Sequence, residues 1–221
     1  MERELLFETK KLTKHFGPTV ALNEVDFKVY RGQITGLIGE NGSGKSTITS
    51  IAAGMQPATD GEMFFKGKPH HPATMIEGAA AGIGMIVQEQ GTVSGISVAQ
   101  NIFLGNEGKF TRGGIVSRKK MNAEAKKALD AIGFENVDPG MPIDALNMQD
   151  RKLVEIAKVV YENPEMLVVD ETTTALSQKG REIIYGIMKK MRDENKAVVF
   201  ISHDLEELME ICDTLTVLRD G

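Results

Sequence analysis

An apolar run, Gln33–Ile38, leads straight into Gly39-Glu40-Asn41-Gly42-Ser43-Gly44-Lys45-Ser46-Thr47, and residues 45–53 then follow a helical pattern that Gly54 closes. The segment fits G-x-x-x-x-G-K-[ST] between a strand and a helix. At ordinary amino-acid usage, a chain of this size meets that pattern by accident about once in a hundred. Each fixed residue type has a physical task. Glycines let successive N–H groups turn inward and form a concave anion site. The helix that starts there adds unpaired N–H groups and the positive end of its dipole. The Lys45 ammonium can reach the β- and γ-phosphates of a nucleotide, and the Ser46 hydroxyl can ligate Mg²⁺. The candidate phosphate-binding residues are therefore Gly39, Glu40, Asn41, Gly42, Ser43, Gly44, Lys45, Ser46 and Thr47.

A second strand, Met166–Asp170, is apolar until its last residue and is followed by Glu171. A buried strand in an open α/β sheet delivers such acids to the edge where nucleotides bind. There Asp170 can hold Mg²⁺, and Glu171 can orient or deprotonate an attacking water. Acids often follow strands, so this motif gains its meaning from the glycine-rich loop upstream. Ile201-Ser202-His203-Asp204 follows another apolar strand, and His203 is a candidate to touch a γ-phosphate. Gln88 closes a further strand as a third candidate metal ligand. Phe16 is a candidate for stacking on adenine, with a core aromatic as the plainer alternative. His15, His70 and His71 lack metal-ligand spacing with acids or cysteines.

Composition narrows the function classes. The 26 basic and 31 acidic residues leave a net charge of −5, which argues against nucleic acid or anionic lipid as a partner of the whole surface. The single cysteine, Cys212, allows no intrachain disulfide and fits a reducing compartment. No run of roughly eighteen apolar residues occurs, so any bilayer span belongs to another polypeptide.

Alternation predicts strands at residues 5–12 and 25–29, and further strands at 33–38, 63–65, 84–87, 166–170, 197–202 and 214–218. Helical spacing predicts helices around Met121 to Ile132, Leu153 to Val160, Ile183 to Ile187 and Leu205 to Cys212. Strands alternating with helices imply an α/β fold with a mostly parallel sheet covered on both faces. Residues 88–163 read as a helical insert between two parts of the core, 1–87 and 164–221. The chain stops at Asp220-Gly221, a turn dipeptide after a strand, and reads as part of a longer polypeptide.

Taken in order, these pieces resemble the ATP-binding cassette (ABC) transporter ATPases over essentially the whole chain. G-E-N-G-S-G-K-S-T resembles their Walker A motif, L-V-V-D-E their Walker B, I-V-Q-E-Q their Q-loop and I-S-H-D their switch histidine. Phe16 matches their adenine-stacking aromatic. The stretches S-V-A-Q-N-I-F-L-G from Ser97 and V-E-I-A-K from Val154 are similar to the first cassette of the sugar-importer branch, which serves ribose, galactose and xylose. That resemblance implies a P-loop fold of ABC type with an antiparallel β region and a helical subdomain. It also implies Mg²⁺-ATP as substrate and Glu171, His203 and Lys45 as catalytic residues, with Ser46, Gln88 and Asp170 as metal ligands. The implied partners are a second cassette in the same polypeptide, membrane permease subunits and, indirectly, a solute-binding protein, at the cytoplasmic face of the membrane.

Three departures stand out. Where the family carries its L-S-G-G-Q signature, which caps the facing cassette's ATP, this chain has Leu146, Asn147, Met148, Gln149 and Asp150. In the D-loop at Thr174, Ala175, Leu176 and Ser177, Ser177 replaces the usual Asp, and Thr172 replaces the Pro after the two acids. These departures keep a second reading open, a nucleotide-gated binding module with poor hydrolysis. A third, a cytoplasmic relative acting in DNA repair, chromosome organisation or translation, fits less well. No heptad run fills the interval from Lys45 to Leu146, and the chain is acidic.

Overall fold

A computed structural model describes residues 3–89 and 91–221. Gln90, the last residue of I-V-Q-E-Q, lies outside the described residues, as do Met1 and Glu2. The chain divides into two compact units, one formed by residues 1–85, 164–172 and 188–221, the other by 86–163 and 173–187.

The first unit carries two sheets. A four-stranded antiparallel sheet has the order β2-β1-β4-β5, built from β1 (Leu5–Phe16), β2 (Thr19–Tyr30), β4 (Asp60–Phe65) and β5 (Lys68–Pro69). β1 and β2 run longer than alternation predicts. β1 shifts register against β2 between Thr9 and Leu12 and again between Leu12 and Lys14, so its inward-facing set is not a simple period of two. The ammonium of buried Lys14 donates to the Pro57 carbonyl at 2.6 Å, an inward lysine that masks the strand in the sequence.

The five-stranded sheet has the order β11-β3-β10-β9-β6, from β3 (Gln33–Ile38), β6 (Ile83–Ile86), β9 (Met166–Asp170), β10 (Ala197–Ile201) and β11 (Thr214–Val217). β10 pairs in parallel with β3 and with β9, and β11 pairs in parallel with β3. Every residue of β9 and β10 is buried, the pattern of central strands covered on both faces. Just ahead of β9, Glu165 accepts from Lys66 and, at 2.5 Å, from Arg31, so the C-terminal ends of β4 and β2 are fastened to the start of a parallel strand. These two cations, Lys66 foremost, hold the Glu165 carboxyl below the usual carboxylate range. Around the sheets stand α1 (Lys45–Ala52), α2 (Met75–Ala81) and α7 (Leu205–Ile211). The periodicity did not reveal α2, whose seven residues, M-I-E-G-A-A-A, carry too short an apolar pattern.

The second unit holds α3 (Val98–Ile102), the hairpin β7 (Thr111–Arg112) and β8 (Ile115–Val116), α4 (Arg118–Ala131) and α5 (Met148–Tyr161). α6 (Gln178–Asp193) starts in this unit and ends in the first. Ser97 and Gln100 close a reciprocal capping box at the start of α3, which stabilises a helix too short to show a period. Phe103 meets Phe110 and Tyr161 edge-on, at centroid distances of 4.6 and 5.1 Å, and forms the aromatic part of this unit's core.

Gly61 lies inside β4 rather than ahead of it, opposite the register shift between Lys10 and Thr13. Its φ is +90°, and an added Cβ would sit 2.4 Å from the Lys11 carbonyl oxygen and 2.7 Å from the Leu12 Cα. Both obstacles are backbone, so neither can swing away. Gly61→Ala is expected to lower unfolding stability by about 2 kcal/mol or more. Urea denaturation followed by circular dichroism measures this.

Candidate functional site

The parallel register of the central sheet assembles the site in the first unit. Ile201 pairs with Leu37 on one side and Asp170 on the other, so the segments that follow β3, β9 and β10 leave the sheet side by side. Those segments carry Gly39, Glu171 and His203.

After β3 the chain turns through residues 39–44 and enters α1. Gly44 occupies the N-cap with φ +98°, and an added Cβ would lie 2.6 Å from the Ala21 carbonyl oxygen. Only glycine fits this cap, so no side chain covers the first N–H groups of the helix. Asn41 and Gly42 are exposed at the loop's crest, and Thr47 is half-buried in the first turn. The Ser43 hydroxyl is buried without a hydrogen-bond partner among the described residues. A buried, unpartnered hydroxyl is costly, and an anion in the loop would satisfy it.

Lys45 is buried, with its ammonium donating to the carbonyls of Gly39 at 2.8 Å and Glu40 at 2.9 Å. Two of its three N–H donors thus brace the loop from beneath, and a phosphate oxygen can take the third. The Ser46 hydroxyl donates to Asp170 Oδ1 at 3.2 Å. This hydroxyl–carboxylate pair is the oxygen donor set that Mg²⁺ favours, and the residues fit that ion. Burial raises the Asp170 carboxyl above its usual range, and the neighbouring Glu171 adds to the rise, while Ser46, Lys45 and His203 work against it.

At Glu171 the backbone takes φ +45°, a strained conformation for a residue with a side chain. Its N–H donates to the Ile201 carbonyl at 3.0 Å. Oε1 meets His203 Nε2 at 2.7 Å, with the carboxylate largely buried and the imidazole 44% exposed. Two residues far apart in sequence thus form one acid–imidazole pair. Ser202 and Asp204, which sequence reasoning passed over, shape the turn that holds His203. The Ser202 hydroxyl accepts from Asp204 N–H at 3.1 Å, and Asp204 caps α7 by accepting from Glu206 and Glu207. A Ser-x-Asp ahead of a helix is a cap signal that was visible in the sequence. Thr172 is buried with its hydroxyl donating to the Asp170 carbonyl at 3.0 Å. Phe16, at the end of β1, is 47% exposed with the Lys14 ammonium 5.0 Å from its ring, so it is not a core aromatic.

Residues 22–174 match the family model described as ABC transporter. The chain belongs to the ABC transporter family, as an ATP-binding domain. Among curated proteins it is 40% identical over 216 residues to the ribose import ATP-binding protein RbsA 2 of Escherichia coli O157:H7, covering 98% of this chain and 42% of that protein. It is also 40% identical to the xylose import ATP-binding protein XylG of Moorella thermoacetica, covering 98% of this chain and 43% of the relative. The chain therefore spans about two-fifths of the length of these relatives. Among solved structures, a nucleotide-free ATP-binding cassette from an ABC transporter superposes with a TM-score of 0.83 at 23% identity, covering 98% of this chain and 88% of that one. Another, a dimeric post-hydrolysis state of an ATP-binding cassette bound to ADP and Pi, gives 0.80 at 23% identity, with coverage of 98% and 95%. These solved neighbours share the fold: an α/β cassette with parallel and antiparallel sheets.

The remaining ABC motif positions lie in the second unit. Gln88 is exposed, two residues beyond the end of β6, which stops at Ile86 rather than Val87. At the signature position Asn147 caps α5. Its Oδ1 accepts from Asp150 N–H at 2.9 Å, and its Nδ2 donates to Asp150 Oδ2 at 2.8 Å. Leu146 is half-buried, with its carbonyl accepting from Arg151 Nε at 3.0 Å, while Met148 and Gln149 are exposed. In the D-loop, Thr174 and Ala175 are exposed and Leu176 is buried. The Ser177 hydroxyl accepts from Gly180 N–H at 3.2 Å at the start of α6.

Two substitutions test the site. Lys45→Ala is expected to weaken ATP binding about 10- to 100-fold by calorimetry, the loss of a charge-assisted hydrogen bond to phosphate. The raised Asp170 carboxyl means that the folded chain holds a proton to higher pH than the unfolded chain. Stability therefore falls as pH rises through that window, and at neutral pH the ionised group opposes folding. Asp170→Asn is expected to raise the unfolding midpoint at pH 7 in chelator without nucleotide, while abolishing the gain in nucleotide affinity that Mg²⁺ brings.

Proposed function

We propose that this domain hydrolyses Mg²⁺-ATP to power the import of a sugar through a membrane permease, acting as one of two facing cassettes at the cytoplasmic side of the membrane. The observation that carries the reading is the Glu171–His203 pair, set at the same sheet edge as Lys45, Ser46 and Asp170. The names of the ribose and xylose relatives support sugar as the cargo. Their greater length leaves room for a second cassette, and a dimeric solved neighbour supports a paired arrangement.

In this reading the amides of residues 42–47 and the Lys45 ammonium grip the phosphates, and Phe16 stacks on the base. Ser46 and Asp170 would hold Mg²⁺, which would supply charge neutralisation at the phosphates. The family resemblance implies Gln88 as a further ligand. Glu171 accepts a proton from the attacking water as the water oxygen bonds to the γ-phosphorus and the bond to the β-bridging oxygen breaks. His203 holds Glu171 in line and supplies an N–H toward the γ-phosphate as the pair separates. Positioning and charge do most of the work, as phosphoryl transfer requires.

The segment 146–150 directs the division of labour. Asn147 and Asp150 satisfy each other at the start of α5, and Asp150 sets negative charge where a phosphate would have to approach. This cassette would thus supply the Walker residues of one working composite site, with the signature coming from its partner. The facing pocket would be the inactive one. The same observation motivates the second reading, a nucleotide-gated module without useful turnover. In the two-cassette polypeptide assembled with its permease, Glu171→Gln is expected to lower kcat by about 10²- to 10⁴-fold with ATP affinity retained. Unchanged turnover would remove Glu171 from the mechanism. A wild-type assembly that binds ATP tightly yet shows no single-turnover hydrolysis would favour the module.

A further inference from the structure

Lys152, in the second turn of α5, is 2% exposed and ranks among the largest fully buried side chains of the protein. An ammonium in such a place costs several kcal/mol unless every donor is matched. Here all three are. Nζ donates to the Val87 carbonyl at 2.7 Å, to the Glu89 carbonyl at 2.7 Å and to Glu155 Oε2 at 2.9 Å. Glu155, one turn further along α5 and also buried, accepts from the Gly91 N–H at 3.1 Å.

The placement of these partners is informative. Val87, Glu89 and Gly91 belong to neither helix nor strand, so no ladder satisfies their backbone groups. One cation on α5 satisfies the Val87 and Glu89 carbonyls, and one carboxylate the Gly91 N–H. In sequence Gln88 lies between the two residues whose carbonyls accept from Lys152. A pair serving only stability could be replaced by apolar residues of the same volume without loss. This pair also ties Val87, Glu89 and Gly91 to the helix that begins at residues 146–150.

We propose that Lys152 and Glu155 are positioning residues that hold Val87, Glu89 and Gly91 so that Gln88 stands ready as a ligand. They also make Gln88 move together with the start of α5. The proposal rests on the ATPase reading above. A displacement of α5 by a partner would then be transmitted to Gln88 through two side chains rather than through a flexible loop, as a shift between two discrete arrangements.

The test uses the two-cassette protein with its permease, in wild-type form and with Lys152→Met and Lys152→Met/Glu155→Leu. The single variant leaves a buried carboxylate unpaired and is expected to lose stability. The double variant removes both charges, and its unfolding midpoint is expected to stay within a few degrees of wild type. In the double variant, amides of residues 87–91 are expected to exchange with deuterium at least 10-fold faster. The Mg²⁺ concentration for half-maximal turnover is expected to rise several-fold and kcat to fall about 10-fold, with metal-free ATP affinity within about 2-fold of wild type. Wild-type exchange in residues 87–91, or wild-type kcat and Mg²⁺ dependence in a folded double variant, would overturn the proposal. Absence of turnover in the wild-type assembly would instead overturn the ATPase reading, and with it the role of Gln88, even if exchange at 87–91 responded as expected.

Discussion

Parallel pairing of β3, β9 and β10 fixes where the chemistry stands. In a parallel ladder the strands run in step, so all three end at the same sheet edge, and whatever follows each is brought within a few ångströms of the others. Leu37, Asp170 and Ile201 share one level of the ladder. A slip of one residue in β9 would turn Asp170 from the Ser46 side to the opposite face of the sheet. The apolar content of β9 and β10 resists that slip, because both strands are buried along their whole length. The hydrophobic core thus holds the active groups in register without touching them.

The same edge carries a local cost. Burial raises the Asp170 carboxyl, the buried Ser43 hydroxyl lacks a partner among the described residues, and Glu171 sits at φ +45°. Each opposes folding, and in the proposed function an anion and a cation entering together would offset the burial of Asp170 and Ser43. Lys45 braces the loop instead, donating to the carbonyls of Gly39 and Glu40 that shape the cradle. Preorganisation of this sort stores strain in a few residues and distributes its support over the surrounding sheet.

The sequence revealed this region well because its signals are local. The glycine-rich segment, the acids after β9 and the histidine after β10 each sit within a few residues of an apolar strand, and the common edge follows from the alternation of strands and helices. What was not legible is non-local or irregular. β1 and β2 extended past the expected ends because register shifts and an inward Lys14 broke the alternation. α3 and the hairpin of β7 and β8 were too short to carry a period. Residues 173–187 follow the Walker B strand in sequence yet cluster with the second unit. The buried Lys152–Glu155 pair reads as an ordinary i,i+3 surface pair on a helix, and only the burial of both residues shows otherwise.

The start of α5 combines both lessons. A helix N-terminus with small residues offers bare N–H groups and a positive dipole to an anion. Here Asn147 and Asp150 close on each other, so the helix is capped from within and its first turn carries a carboxylate. That arrangement stabilises the helix, since both the cap and the acid in the first turn are favourable to it. The features that make this end a better helix terminus make it a poorer phosphate site. With Lys152 and Glu155 one to two turns below, the segment is anchored at its base and self-satisfied at its tip. The contacts of α5 run to Val87, Glu89 and Gly91 rather than leaving its first turn open to an anion.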